Sequence, residues 1–158
     1  MKSSEPIYVK KSGINRQGVF ATKDISKGQK VCTLRGTRVR KILTNGPMKG
    51  HRNLILDVFQ TSEREYIYLE EPYMLINHSC NPNVGIRGGD LIAIIDIKKG
   101  KEIVYDYSCT WYDGFECNCG SKNCRGHIGD FSGVPRSIQK KYLKLGIIPD
   151  FIKKNIKI

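Results

Sequence analysis

The chain has 158 residues and a net charge of +12, with 39% hydrophobic and 27% charged residues, 16 Gly, 6 Pro and 6 Cys. That profile fits one soluble globular domain and, with 9% aromatic residues and regular apolar alternation, excludes a disordered chain. The longest apolar run, residues 91–95, is far too short to span a bilayer, and residues 1–6 hold no apolar stretch of the kind a secretory signal needs, so an intracellular protein with no membrane contact is expected.

In chain order, residues 7–9, 18–21, 30–34, 53–59 and 65–69 are dominated by β-branched and aromatic side chains and read as short strands. After the polar stretch 77–83, residues 91–95 and 102–107 read as two more, flanking a Gly-containing turn at 96–101 that resembles an earlier turn at Ser26-Lys27-Gly28. The C-terminal end changes period. Pro135 suits a first helical position, Ile138, Tyr142 and Leu145 fall at i, i+4 and i+7, and Gly146 is placed to cap the end. A second short helix is expected after Pro149, using Phe151, Ile152 and Ile156.

Charge is segregated along the chain. Residues 1–60 carry 13 Lys/Arg against 3 Asp/Glu, residues 61–133 carry 7 against 11, and residues 134–158 carry 7 against 1. Basic flanks of this kind attract polyanions, and the acidic middle attracts a cation.

Cys117, Cys119 and Cys124 lie within eight residues, while Cys32, Cys80 and Cys109 are scattered. Thiols at i and i+2 cannot easily bridge each other, so metal ligation is the better reading of the cluster. A tetrahedral structural zinc needs four ligands, and the fourth must come from elsewhere in the chain. Cys32 and Cys109 are expected to be free thiols.

Asn77-His78-Ser79-Cys80-Asn81-Pro82-Asn83 is followed by Lys99-Gly100-Lys101-Glu102-Ile103-Val104-Tyr105-Asp106-Tyr107, and then by the cysteine cluster. Together and in this order, these segments resemble the SET-domain protein-lysine methyltransferases with a post-SET zinc motif. The resemblance implies a mainly-β SET fold of several small sheets, with a knot-like threaded crossing near 77–83 and 105–107, a zinc-bound post-SET loop and a C-terminal helix. It divides the chain into a SET domain (6–110), a post-SET zinc segment (111–131) and a C-terminal helical extension (132–158) packed on the same domain.

The same resemblance assigns roles. Asn77 and His78 would contact S-adenosylmethionine, as would the loop at Arg16, Gln17 and Gly18, and Phe115. Cys80 would be the fourth zinc ligand beside Cys117, Cys119 and Cys124. Tyr107 matches the catalytic tyrosine, and Tyr105 the position that controls how many methyl groups are added. The chain departs from the family pattern at Arg16, which replaces the first Gly of the cofactor loop, at Leu34-Arg35-Gly36-Thr37, and at Met74-Leu75-Ile76. Tyr66 or Tyr68 is a candidate wall of the lysine channel.

The implied activity is S-adenosylmethionine-dependent methylation of a lysine on a protein substrate, with a histone tail as a candidate and mono- or dimethyl-lysine as the product. The alternative is a catalytically silent SET-like module that binds chromatin or nucleic acid through its basic flanks. Intact Tyr107, Asn77 and His78 favour the enzyme.

Overall fold

A computed structural model describes residues 5–40, 58–110 and 114–156. The described residues form five small sheets. Strands β1 (Ile7–Lys11) and β2 (Gln17–Ala21) form an antiparallel hairpin. Its inner face is set by Val19 and Ala21, which are fully buried, whereas β1 is largely solvated. Strand β3 (Lys30–Thr33) pairs with β9 (Asp90–Ala93), which also pairs with β8 (Val84–Arg87). A third sheet has β6 (Tyr66–Leu69) between β4 (Gly36–Val39) and β5 (Val58–Gln60). The two remaining pairs are β7 (Asn77–His78) with β10 (Val104–Tyr105), in parallel, and β11 (Phe115–Glu116) with β12 (His127–Ile128), antiparallel. Between them the sheets enclose one apolar core that includes Val31, Phe59, Ile76, Leu91, Ile103 and Ile128.

The expected strands form, with differences at their ends. The stretch expected at 102–107 is only a two-residue strand, because Tyr107 has already entered a 3-10 turn, Tyr107–Cys109, capped by the Asp106 side chain. In the strand expected at 53–59, residues 53–57 lie outside the described residues; β5 starts at Val58. Strand β8 was not expected from the sequence. Its signal was the Gly88-Gly89 pair, whose φ values of 58° and 90° make the tight two-residue turn into β9. Gly85, within β8, explains the weak strand pattern: a Cβ there would collide with the Ile147 side chain, so a small residue is needed where the C-terminal segment lies against the sheet.

That segment contains α1 (Arg136–Leu145) and α2 (Asp150–Lys153). Pro135 is not the first helical residue. Its ψ of 136° is extended, and it occupies the N-cap one position earlier, with Pro149 playing the same part for α2. Gly146 ends α1 in the left-handed region, φ 65°, with its N–H on the Leu143 carbonyl and the Ile147 N–H on the Tyr142 carbonyl. The helix is fixed to the domain by Tyr142, fully buried, by Ile147 on Gly85, and by Arg87, whose guanidinium donates to the Leu145 and Gly146 carbonyls. Gln139, also buried, donates its amide to the carbonyls of Phe131 and Val134, satisfying the 3-10 turn Phe131–Gly133 that precedes the helix. No helix among the described residues is long and apolar enough to cross a membrane.

Candidate active site

A two-residue parallel pair has little stability of its own, and side chains reinforce the pairing of β7 with β10. The Asn83 carboxamide acts as an extra strand: Nδ2 donates to the Glu102 carbonyl at 2.7 Å and Oδ1 accepts the Val104 N–H at 2.9 Å. The Ser79 N–H donates to the Tyr105 carbonyl. Residues 77–83 are thereby fastened along 102–105, which places Asn77, His78, Tyr105 and Tyr107 in one neighbourhood.

Asn77 is buried, and its Nδ2 donates to the Gln17 carbonyl at 2.8 Å, to Glu102 Oε1 at 2.8 Å and to Ser12 Oγ at 3.2 Å. Ser12 Oγ in turn donates to the Glu102 carboxylate at 2.8 Å. The β1–β2 turn is thus tied to β7, and Gly18 makes the contact feasible, since a Cβ there would overlap the Glu102 carboxylate and lie 3.0 Å from Asn77 Nδ2. The structure therefore brings Gln17 and Gly18 to Asn77. Arg16 adjoins them through the chain, but its side chain is exposed and joins none of these bonds.

Around His78 the site is aromatic. The ring centroid of Tyr107 lies 5.3 Å from that of His78, 4.8 Å from Tyr105 and 6.1 Å from Phe115, and Phe115 stands perpendicular to His78 at 6.3 Å. Phe59 of β5 meets Tyr105 edge-on at 6.4 Å. Tyr66 and Tyr68 are half-buried on β6. The Tyr107 hydroxyl donates to the Ile76 carbonyl at 2.7 Å, which fixes the direction of its O–H.

His78 is neutral at physiological pH, because burial lowers its pKa to about 4 against the raising influence of Asp106. Its Nδ1 accepts the Tyr107 N–H at 3.1 Å. A neutral ring then carries its proton on Nε2, which lies 3.3 Å from Cys80 Sγ and donates to it.

Four ligand atoms, from His78, Cys80, Cys117 and Cys119, lie within 4.8 Å of one another. The protonated Nε2 of His78 has no lone pair for a metal, so it serves as a hydrogen-bond donor to a ligand rather than as a ligand. Cys124 is half-buried nearby, its Sγ donating to the Cys117 carbonyl at 3.3 Å. Backbone N–H groups are aimed at the sulfurs: Arg125 at Cys80 Sγ, 3.3 Å, and Cys80 at Cys119 Sγ, 3.5 Å. Burial raises the pKa of Cys80 and of Cys117. Cys119 is lowered to about 6, because the Cys80 N–H and the Ser121 side chain outweigh its burial. Gathered thiols with N–H donors directed at sulfur fit a soft tetrahedral cation such as zinc. Cys32 and Cys109 are free and buried apart from this cluster.

Two residues that the sequence analysis passed over lie closest to the Tyr107 turn. Asp106 is 2% exposed, and its carboxylate takes both guanidinium nitrogens of Arg125, at 2.6 and 2.8 Å. It also accepts the Ser108 N–H at 3.0 Å and the Tyr142 hydroxyl at 3.0 Å. Although burial works the other way, the Arg125 fork holds the Asp106 carboxyl below its usual pKa. The sequence signal was there: an acid between two buried aromatic residues needs a cationic partner, and Arg125 directly follows the last clustered cysteine.

Residues 16–108 match the family model of the SET domain. The chain belongs to the SET-domain family. It is 27% identical over 139 residues to histone-lysine N-methyltransferase 2B of Homo sapiens, a match that covers 78% of this chain and 5% of that protein. It is 33% identical over 135 residues to the human histone-lysine N-methyltransferase 2D, with coverages of 75% and 2%. The SET domain described here thus spans 5% or less of these relatives' length. Its fold is also that of a chain in Chaetomium thermophilum polycomb repressive complex 2, solved in an autoinhibited conformation bound to S-adenosylmethionine, with a TM-score of 0.55, 23% identity, and coverage of 66% of this chain and 15% of that one. The family match includes Asn77, His78, Cys80, Tyr105 and Tyr107, while Phe115 and the clustered cysteines lie beyond it.

Proposed function

We propose that this SET domain is a protein-lysine N-methyltransferase that uses S-adenosylmethionine and carries one structural zinc. The observation that carries the reading is Tyr107, whose hydroxyl is oriented by the Ile76 carbonyl inside an aromatic cluster of His78, Tyr105 and Phe115. The names of the similar proteins, histone-lysine N-methyltransferases, and the S-adenosylmethionine bound by the structural neighbour support it. The same names support a histone-type substrate.

S-adenosylmethionine supplies an electrophilic methyl group on a sulfonium. Gln17, Gly18, Asn77, His78 and Phe115 would hold it, and the faces of Phe115 and Tyr107 suit a cation. The lysine amine must arrive neutral, and its reference pKa is about 10.4. The described titratable side chains at the site are otherwise engaged: His78 accepts the Tyr107 N–H, Asp106 is paired with Arg125, and the Glu102 carboxylate accepts from Ser12 and Asn77. The proton is therefore lost to solvent before transfer, helped by the approaching sulfonium charge and the dry channel. Tyr107 Oη, its proton given to Ile76, accepts from the amine and aims the lone pair at the methyl carbon. Positioning supplies most of the rate.

Zinc would be held by Cys80, Cys117, Cys119 and Cys124, with His78 Nε2 donating to Cys80. Four sulfur ligands close the site to chemistry and leave the metal a structural role. Free thiolate ligands suit a reducing, intracellular compartment. Tyr105 in place of Phe favours mono- or dimethyl product, because a Tyr hydroxyl beside the lysine nitrogen can retain a water in the space a further methyl needs.

The test is transfer of a labelled methyl group to recombinant histones and to a lysate of the host organism, followed by mapping of the labelled lysine. Label on lysine that is lost with Tyr107→Phe is the expected result. No transfer to any protein, with S-adenosylmethionine still bound, would refute the enzyme.

A second reading, nucleic-acid or nucleosome contact by a silent module, is favoured by a set of exposed cations. Lys11, Arg16, Lys23, Lys27, Lys99 and Lys101 are exposed and form no ion pair among the described residues, and the Lys99 N–H bond to Asp24 joins the turns that carry several of them. Binding through these cations would weaken steeply with salt.

A further inference from the structure

We propose that Asp106 is a positioning residue through which the C-terminal helix and the post-cysteine loop set the orientation of Tyr107. The inference rests on the methyltransferase reading above and assigns a part in the reaction to α1, which lies outside the residues matched to the family model.

Three parts of the chain, distant in sequence, converge on this one carboxylate. Asp106 caps the 3-10 turn that begins with Tyr107, accepting the Ser108 N–H on Oδ1. Arg125 grips both oxygens, and it adds a bond from Nη2 to Ser108 Oγ at 3.0 Å. Tyr142, from the middle of α1, donates to Oδ2 at 3.0 Å. The carboxylate is 2% exposed and Tyr142 is 2% exposed, so water does not compete for these bonds. On the other side of Tyr107, its N–H is held by His78 Nδ1. The backbone of Tyr107 is thus fixed before the residue by His78 and after it by Asp106, and the orientation of Asp106 depends on Arg125 and Tyr142.

The physical consequence is a lever. Removing the Tyr142 hydroxyl leaves the ring, its burial and the helix packing in place, but frees Oδ2 from one of its two donors, so the carboxylate can rotate about its Cβ–Cγ bond. The Ser108 cap loosens with it, and the Tyr107 hydroxyl holds the amine lone pair on the line to the methyl carbon for less of the time. A small displacement of an orienting group costs rate rather than affinity.

The test is Tyr142→Phe in the zinc-loaded full chain, assayed with recombinant histone octamers beside the wild type. We expect kcat to fall about tenfold, the rate equivalent of one charge-assisted hydrogen bond of ~1.4 kcal/mol. KM for histone, the Kd for S-adenosylmethionine and the zinc content should stay within about twofold. A kcat equal to that of an active wild type would overturn the inference. Amide hydrogen exchange supplies a readout independent of turnover: in Tyr142→Phe the Ser108 amide should exchange at least about tenfold faster, with the β3–β9–β8 amides unchanged. Unchanged exchange at Ser108 would overturn the coupling whatever the activity, whereas a silent wild type with accelerated Ser108 exchange would overturn only the enzyme reading. Arg125→Lys closes the cycle. It keeps the charge but not the fork, and combined with Tyr142→Phe it should lower kcat by less than the product of the two single effects, since both act on one acceptor; strictly multiplicative effects would count against a shared carboxylate.

Discussion

Arg125→Met probes the most demanding electrostatic arrangement in the domain. The Arg125 side chain is 11% exposed and that of Asp106 is 1% exposed, and the guanidinium meets both carboxylate oxygens, at 2.6 and 2.8 Å. Replacing Arg by Met fills similar volume but strands a buried carboxylate, which costs roughly 3–5 kcal/mol. For a domain whose whole stability is about 5–15 kcal/mol, that is a large fraction, and at roughly 2–4 °C per kcal/mol it lowers Tm by about 6–20 °C. The sign of the pH dependence gives a sharper test. In the wild type Arg125 holds the Asp106 pKa below the unfolded value of 3.8, so the stability from the pair is fully present above that pH and is lost only as pH falls through the lower folded value. In the variant the Ser108 N–H and Tyr142 hydroxyl still bond the carboxylate, but the cation is gone, and burial, the largest influence on this group, is expected to raise the folded pKa above the unfolded one. The folded state then binds a proton that the unfolded state does not, so the variant gains stability as pH falls. Urea unfolding of both proteins at pH 8 and pH 6, at equal free zinc, should show a gap near the full cost at pH 8 that narrows by about 1–2 kcal/mol at pH 6, within the limit of 1.36 kcal/mol per unit. A gap below about 1 kcal/mol at pH 8, or one that does not change with pH, would refute the reasoning.

Tyr107→Phe should reduce methyl transfer by about 10²–10³, the usual cost of losing one preorganised polar group at a reacting centre, while S-adenosylmethionine affinity stays within a few-fold and stability falls by about 1 kcal/mol from the lost bond to Ile76. Wild-type turnover in that variant would remove Tyr107 from the mechanism. Metal analysis should find one zinc per chain, and Cys124→Ser should weaken it by more than about 100-fold, whereas His78→Ala, which takes a donor from Cys80 but removes no sulfur ligand, should cost about 10–100-fold and keep the stoichiometry. The reverse ranking would make His78 the fourth ligand. Tyr105→Phe should shift a histone peptide toward higher methylation with little change in the first transfer, read by mass spectrometry through the time course; abundant trimethyl-lysine from the unsubstituted enzyme would contradict the role given to Tyr105.

The sequence alone carried the fold class and most of the site, for a physical reason. Short strands are written in local alternation, and the Asn77–Asn83 and Tyr105–Tyr107 segments have their chemistry within a few residues of one another. The cysteine spacing similarly led to the expectation of a fourth ligand from outside the cluster. Local patterns fail where a residue's reason lies far along the chain. No strand was expected over 84–87, because the Ile147 side chain that requires Gly85 is 62 positions away, and Gly18 is required by the Glu102 carboxylate. Nothing in the sequence signalled that His78 would lie among the cysteine sulfurs, because the Tyr107 N–H that occupies its Nδ1 and turns Nε2 toward Cys80 is 29 positions away. Asp106 was legible as an acid between two tyrosines, but its partners Arg125 and Tyr142 come from separate later segments, and in sequence Tyr142 is simply an apolar position on a helical face. Tertiary structure decided these cases because burial and hydrogen-bond pairing are properties of groups brought together by the fold, and a buried charge is stable only beside the particular partner the fold delivers.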